Sequence, residues 1–223
     1  FFSIFLEKGY GEHLGIYDNE YKNNGADLKK NKNDVLKESH IILKVNSPTG
    51  DEINFINTGS ILIGQFNPLE NKELFNKLLK KNVNIFSLNL LPRITRAQSM
   101  DVLSSQANLA GYRAVIESVG EFDKAIPMMM TAAGTITPAK VMVIGAGVAG
   151  LQAIATAKRL GAIVCATDVR SVAKEQVESL GGKFLTVEGS ENLETAGGYA
   201  KEAGEDFKKK QAELIREAVK KND

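Results

Sequence analysis

Short apolar runs alternate with amphipathic stretches along the first 90 residues of the chain. Runs rich in Ile, Val and Phe predict buried strands at residues 3–6, 40–45, 60–63 and 84–87. Residues 71–81 carry Leu and Phe at helical spacing between Lys and Glu, which predicts an amphipathic helix. Alternation of this kind favours a parallel sheet that is covered on both faces.

Three further segments complete the pattern of the first half. Residues 19–37 are rich in Asn and Lys, which predicts solvated helix and loop. One long helix is predicted over residues 99–124, because apolar residues keep helical spacing there until Pro127 ends the pattern. Met128, Met129 and Met130 follow, and such a run is typical of adaptable core packing. The alternative is a face that touches a flexible ligand or a moving domain.

The strongest signal is a glycine-rich turn between a strand and a helix. An apolar strand is predicted at residues 141–144, and the helix after the turn extends to Leu160 with Gly161 at its end. A second strand, residues 163–167, leads to Asp168, which lies 23 positions after the first glycine. Strand, turn, helix and acid in this order indicate a dinucleotide-binding site. The turn consists of Gly145, Ala146, Gly147, Val148, Ala149 and Gly150.

Each glycine of the turn has a separate physical role. Gly145 permits the tight turn, Gly147 lets the backbone approach a pyrophosphate, and Gly150 allows helix and strand to pack closely. Unpaired N–H groups at the start of the helix then face the phosphates, and the helix dipole attracts their negative charge.

Asp168 determines which nucleotide we expect. A carboxylate at the strand tip accepts hydrogen bonds from the ribose hydroxyls and repels a 2′-phosphate, so NAD(H) is favoured over NADP(H). Arg170 is the counter-argument, because an arginine can pair with a phosphate through two hydrogen bonds.

The rest of the chain predicts an unfinished nucleotide domain. A helix at residues 174–180, a strand at 183–187, a loop at 188–198 and a charged helix at 199–221 follow. A dinucleotide fold has two mononucleotide halves, so three strands leave the nicotinamide half missing. The predicted fold class is α/β, with two doubly wound, Rossmann-like parallel-sheet domains joined by a long helix and the second domain incomplete. The predicted domains are residues 1–126, which include the long helix, and the NAD-binding residues 127–223.

Composition and charge exclude several classes of protein. With 28 Lys+Arg against 27 Asp+Glu the chain is neither a basic arm nor an acidic tail, so no nucleic-acid partner is expected. The single Cys165 lies in an apolar run and is expected to be a reduced core thiol. Residues 141–157, free of charge, contain three glycines and favour a turn over a membrane span. The chain starts at Phe1 as though cut from a longer one, and no metal site is predicted.

Three segments closely resemble a known family. They are residues 92–115, which include Arg-Ala-Gln-Ser-Met-Asp, residues 127–134, Pro-Met-Met-Met-Thr-Ala-Ala-Gly, and residues 169–183. The resemblance is to the NAD(H)-binding domain of the proton-translocating NAD(P) transhydrogenases, within the alanine dehydrogenase/transhydrogenase family. It is strongest from residue 91 to 184 and extends over nearly the whole chain.

The resemblance implies a set of site residues. A family loop before the long helix places an Arg, a Gln, an Asp and a Ser beside the nicotinamide, and Tyr112 matches a family tyrosine less directly. These groups would hold the dihydronicotinamide in one orientation for hydride transfer, a step that consumes no acid or base. The loop residues match Arg93, Gln98, Asp101 and Ser104 here. Cofactor contacts are expected from the six residues of the glycine turn and from Thr131, Ala132, Asp168, Val169 and Arg170.

The resemblance also implies an assembly. NADH bound by this chain would pass hydride to NADP⁺ on a partner NADP(H)-binding domain, while a separate membrane domain moves protons. The chain itself would not insert into the membrane, and it would form a homodimer. Its location would be peripheral, on the cytoplasmic face of a bacterial inner membrane or the matrix side of the mitochondrial inner membrane.

Two alternatives remain open. An alanine-dehydrogenase-like enzyme shares Lys44-Val45, but Asn46 stands where that enzyme has its substrate-binding Lys. Its catalytic His also has no counterpart after residue 87, and His13 and His40 are interpreted as structural. The other alternative is a non-catalytic NAD-binding module of the same fold.

Overall fold

The structure, a computed structural model, describes residues 2–92, 94–187 and 204–223. The chain divides into two compact units, Phe1–Asp101 and Val102–Asp223. Parallel strands joined through helices form the main sheet of each unit. The α/β class and the parallel sheets are therefore as the sequence predicts.

The first unit alternates strands and helices. Its elements are β1 (Ile4–Glu7), α1 (Asp18–Asn23), β2 (Ala26–Lys29), α2 (Lys32–Glu38), β3 (Ile41–Lys44), α3 (Gly50–Phe55), β4 (Ile61–Gly64), α4 (Lys72–Lys80) and β5 (Asn84–Ser87). β1 pairs with β2 in one parallel sheet, and β4 lies between β3 and β5 in another. The four predicted strands are confirmed as β1, β3, β4 and β5, each within one residue at either end.

The prediction for residues 19–37 is wrong in one respect, because this segment contains the strand β2. Its register places Ala26 beside Ile4 and Leu28 beside Leu6. The Lys29 ammonium lies 4.3 Å from the ring centroid of Phe5 and forms an ion pair with Glu38 at 2.6 Å. A two-stranded sheet can form with few apolar residues. The Asn- and Lys-rich composition of this segment therefore gave no indication of a strand.

The second unit is built around a three-stranded parallel sheet. Its elements are α5 (Val102–Glu121), β6 (Met129–Thr131), β7 (Gly134–Ile136), β8 (Lys140–Ile144), α6 (Val148–Arg159), β9 (Ile163–Thr167), α7 (Val172–Ser179), β10 (Lys183–Phe184) and α8 (Glu205–Val219). The strand order is β10-β9-β8. The strand predicted at 183–187 is shorter than expected, since β10 ends at Phe184. The predicted loop at 188–198 and the start of the predicted helix at 199–221 lie outside the described residues.

The methionine run does not pack in a core. Met129 and Met130 belong to an antiparallel hairpin of β6 and β7, and Met128, Met129 and Met130 expose 60%, 45% and 83% of their surface. The interpretation as core packing is therefore wrong for this chain. The hairpin has no Asn-Gly or Asp-Gly signature at its turn, which explains why the sequence did not indicate it.

The long helix α5 packs in the second unit, against α6. Gly111 of α5 is buried against the backbone of Ala149, the second residue of α6. Small buried residues, Ala153 and Ala157 among them, continue this contact surface of α6 into the core. The two units thus meet in the chain at Asp101 and Val102, whereas the sequence predicts a boundary at residue 126. Within the described ranges, no helix combines the length and apolarity that a membrane span requires.

Candidate nucleotide-binding site

The glycine turn connects the end of β8 to the start of α6. Gly145 has φ +91°, a left-handed conformation that glycine adopts without strain, and its N–H donates to the Thr167 carbonyl at 2.8 Å. A Cβ on Gly150 would collide with the carbonyl oxygen of Gly145 and touch Val143. Two of the three glycine roles deduced from the sequence therefore have a direct steric cause in the structure.

The third glycine leaves room for a ligand. The nearest atom to a Cβ built on Gly147 is Nη2 of Arg170, at 3.9 Å. Gly147 is also the N-cap of α6 and has no side chain to bond the helix N–H groups. A helix start of this kind offers backbone donors and the positive end of a dipole, which suit a pyrophosphate.

Asp168 joins the tip of β9 to the glycine turn. Its Oδ2 accepts hydrogen bonds from the Ala146 N–H at 2.7 Å and from Nη2 of Arg170 at 3.0 Å. Its Oδ1 accepts from the backbone N–H and from Nε of Arg170, both at 2.9 Å. The side chain of Asp168 is only 7% exposed and that of Arg170 only 17%. The carboxylate thus holds the turn and a guanidinium together.

These contacts fix the charge of Asp168. Burial by itself raises the pKa of the carboxyl, but the guanidinium of Arg170 and the N–H groups of Arg170 and Ala146 outweigh it and lower the pKa below its ordinary value. Asp168 is therefore ionised throughout the neutral range.

The helices α5 and α6 cross closely at the glycine turn. A Cβ on Gly111 would collide with the carbonyl oxygen of Ala149, which lies in the turn sequence itself. Nothing in the sequence singles out Gly111, because an isolated glycine within a helical pattern is usually tolerated rather than required.

The residues expected beside the nicotinamide lie at the end of the first unit and the start of α5. Gln98 is exposed on a 3₁₀ helix, Thr95–Met100, and its carbonyl accepts the N–H of Asp101 at 3.2 Å. Asp101 is partly buried, and Ser104 lies partly buried in the first turn of α5. Arg93 is outside the described residues. The assignment of these four residues to hydride transfer stays a prediction.

The other expected cofactor contacts fall in two places. Val169 is partly buried between Asp168 and Arg170, so it belongs to the same tip of the sheet. Thr131 and Ala132 lie at the turn of the exposed hairpin, where Oγ1 of Thr131 donates to the Gly134 carbonyl at 2.9 Å. Their contact with a nucleotide also stays a prediction.

An apolar groove of about 520 Å³ follows the edge of β8 that faces away from β9. Val115 and Val119 of α5 line the groove together with Val141 and Val143 of β8. At one end, the Asp223 N–H donates to the Lys140 carbonyl at 2.9 Å.

Other reactive groups add no chemistry of their own. Burial raises the pKa of the Cys165 thiol, which lies 3.6 Å from Oδ1 of Asn222, so it remains protonated at neutral pH. No group of three His, Cys, Asp or Glu side chains that could hold a metal ion occurs in the portion of the chain that the structure describes.

Comparison with known proteins then identifies the family. The sequence models for the alanine dehydrogenase/PNT N-terminal and C-terminal domains match residues 2–110 and 114–223. The chain belongs to the alanine dehydrogenase/PNT family.

Individual relatives within the alanine dehydrogenase/PNT family favour its transhydrogenase branch. The chain is 51% identical to an NAD(P) transhydrogenase alpha-subunit protein of Rhodospirillum rubrum, over 100% of this chain and 60% of that protein. A crystal structure of transhydrogenase from Sinorhizobium meliloti matches with a TM-score of 0.85 and 48% identity, over 100% of this chain and 59% of that one. An L-alanine dehydrogenase structure, at 21% identity, matches with a TM-score of 0.68 over 82% of this chain and 52% of that one, which shows a shared fold alone. The chain thus spans about three-fifths of these two transhydrogenase relatives.

Proposed function

We propose that this chain is the NAD(H)-binding component of a proton-translocating transhydrogenase. The glycine turn binds the pyrophosphate of NAD(H), and Asp168 binds the adenosine ribose. Hydride then passes from NADH to NADP⁺ held by a partner domain, while a separate membrane domain moves protons. The observation that supports the proposal is the ionised Asp168 bonded to the turn at Ala146, since an acid at this strand tip and a glycine turn are the ribose- and pyrophosphate-binding parts of a dinucleotide fold.

The nicotinamide is held by side chains around the start of α5. Arg93, Gln98, Asp101 and Ser104 supply a charge pair, an amide and a hydroxyl, which can fix the carboxamide and ring in one orientation. Hydride transfer needs a near-attack geometry and no proton donor or base, so orientation is the main contribution that the protein can make. The exposure of Gln98 supports this role, because an exposed amide is free to meet a ligand.

A soluble amino-acid dehydrogenase receives less support. Nζ of Lys44 forms an ion pair with the buried Glu52 at 3.3 Å, so this ammonium already has a carboxylate partner inside the protein. Asn46 stands at the position where a second lysine would be required.

The assembly is a homodimer attached peripherally to its membrane domain. The exposed apolar hairpin of β6 and β7 supports the dimer, because exposed apolar surface of this kind is typical of protein interfaces. The attachment lies on the cytoplasmic face of a bacterial inner membrane or on the matrix side of the mitochondrial one. Sedimentation of the full-length protein tests the dimer, and a monomer at micromolar concentration would contradict it.

A fluorescence titration of the full-length protein with NADH and with NADPH tests the function. We expect selective binding of NADH, followed by hydride transfer to an NAD⁺ analogue once an NADP(H)-binding domain loaded with NADPH is added. The partner domain is first shown to be competent with an established transhydrogenase component. Selective binding without transfer would refute the enzyme and leave an NAD-binding module.

A further inference from the structure

The carboxylate of Asp168 is saturated with hydrogen bonds inside the protein. A carboxylate accepts about four hydrogen bonds through its two oxygens. The backbone N–H groups of Ala146 and Arg170 supply two of them, and Nε and Nη2 of the Arg170 side chain supply the others. A ribose diol can therefore bind Asp168 only if some of these donors leave.

The guanidinium is the group that can leave. The Ala146 N–H belongs to a buried turn residue, whereas the Arg170 guanidinium is carried on a flexible stem and lies over the open space at Gly147. Once displaced, the guanidinium stays tethered two residues from Asp168, beside the position where the ribose 2′-substituent must lie. Arginine is well suited to a phosphate at that position, since its planar fork binds two phosphate oxygens at once.

We propose that Arg170 is a latent 2′-phosphate ligand and that its ion pair with Asp168, rather than the carboxylate alone, sets the choice between NAD(H) and NADP(H). Asp168 acts twice in this scheme. It repels a 2′-phosphate directly, and it recaptures the guanidinium that would otherwise bind that phosphate. The inference rests on the proposed nucleotide site and adds the group that determines its selectivity.

Five forms of the full-length protein test this inference: wild type, Asp168→Asn, Arg170→Ala, the double variant Asp168→Asn/Arg170→Ala, and Asp168→Asn/Arg170→Lys. Affinities for NADH and NADPH are measured by fluorescence titration, and adenosine 2′,5′-bisphosphate and 5′-AMP are measured as competitors. In Asp168→Asn we expect NADPH and the bisphosphate to bind at least about tenfold more tightly than in wild type, because a charge-assisted pair forms. The double variant should lose this gain, and Asp168→Asn/Arg170→Lys should keep a fraction of it.

The single Arg170→Ala variant keeps the carboxylate and its bond to Ala146, so it serves even if Asp168→Asn does not fold. Here the ratio of NADH to NADPH affinity should rise by at least about threefold, because the unpaired carboxylate repels the phosphate more strongly. An unchanged ratio, or an NADPH gain in Asp168→Asn that persists without Arg170, would overturn the inference while leaving NADH binding intact. If wild type binds neither dinucleotide, the nucleotide site itself is refuted and the inference fails with it.

Discussion

The carboxylate of Asp168 accepts the backbone N–H of Ala146 at 2.7 Å, so the tip of β9 is bonded directly to the turn that follows β8. A matching contact exists at the opposite end of β8, where Oδ2 of Asp223 accepts the N–H of Lys140 at 3.0 Å. Both aspartates thus continue the hydrogen bonding of the same strand, but only Asp168 does so beside the glycine turn.

The pair of aspartates provides a matched test of NAD(H) binding. Asp168→Asn should lower the affinity for NADH by about tenfold, because a neutral amide oxygen is a weaker acceptor for a ribose hydroxyl than a charged carboxylate. Asp223→Asn makes the same chemical change at the far end of β8 and should leave the affinity unchanged. Equal titrations for wild type and Asp168→Asn would show that the ribose does not bind here.

Gln98→Ala should slow hydride transfer more than it weakens NADH binding. The amide is proposed to orient the nicotinamide, whereas most of the binding energy comes from the adenosine and pyrophosphate contacts. Single-turnover transfer to the partner domain, compared with the NADH dissociation constant, separates the two effects. A weaker affinity with unchanged turnover would refute the orienting role. Gln106→Ala, at an exposed position of α5, is the control and should change neither the rate of hydride transfer nor the affinity for NADH.

Gly111→Ala should destabilise the second unit by about 1–3 kcal/mol, because the new methyl group would collide with the Ala149 carbonyl and force α5 away from α6. Gly120→Ala is the matched control on the same helix, since a Cβ there meets no atom within 4 Å. That change should be neutral or stabilising by up to about 1 kcal/mol. Urea unfolding curves compare the two variants, and equal stabilities would contradict the close crossing.

Glu52→Gln should lower the free energy of unfolding at neutral pH by about 1–3 kcal/mol. Burial raises the pKa of this carboxyl, but the Thr49 N–H, Lys32 and Lys44 outweigh it and lower the pKa below its ordinary value. Because the pKa is lower in the folded state, the ionised carboxyl stabilises the folded protein at every pH above the pKa of the unfolded chain, about 4.3. This stabilisation is lost as the pH falls through the pKa of the folded state. The difference between wild type and variant should therefore be constant from about pH 8 to 5 and shrink in more acidic urea titrations.

An exposed acid serves as the control for Glu52. Glu73→Gln, in the first turn of α4, should change stability by less than about 0.5 kcal/mol at every pH. The prediction would be contradicted if the difference in unfolding free energy between wild type and Glu52→Gln grew on acidification. That result would mean that burial, rather than the two lysines, determines the pKa of the Glu52 carboxyl.

The sequence predicts the elements that are bounded sharply by composition. β5 and β9 have the predicted limits, because each is a short run that includes β-branched residues between turn-forming residues. β2 and the hairpin of β6 and β7 could not be predicted, since β2 is a four-residue strand with only Ala26 and Leu28 apolar, in a segment rich in Asn and Lys, and the hairpin has an Ala-Ala turn. The pattern of apolar and polar residues predicts strands that bury apolar side chains, and it misses strands that bury little apolar surface.

The candidate site was also predicted from the sequence only in part. The roles of Gly145 and Gly150 follow from the sequence, because the tight turn requires a positive φ at Gly145 and the close backbone leaves no space for a Cβ at Gly150. The sequence also presents Asp168 and Arg170 two residues apart, yet it cannot decide whether the guanidinium faces the carboxylate or a ligand. That choice depends on the side-chain geometry at the tip of β9, which only the fold defines.

Met128, which precedes the hairpin, and Met129 and Met130 within it carry exposed thioethers whose oxidation measures the accessibility of this surface. Oxidation of methionine to the sulfoxide requires that an oxidant reach the sulfur, and it adds a mass that peptide mapping assigns to one residue. Met130, whose side chain is the most exposed of the three, should be oxidised first in any state that leaves the hairpin open. Brief peroxide treatment of dilute and concentrated protein would thus measure the fraction of time during which this surface is covered.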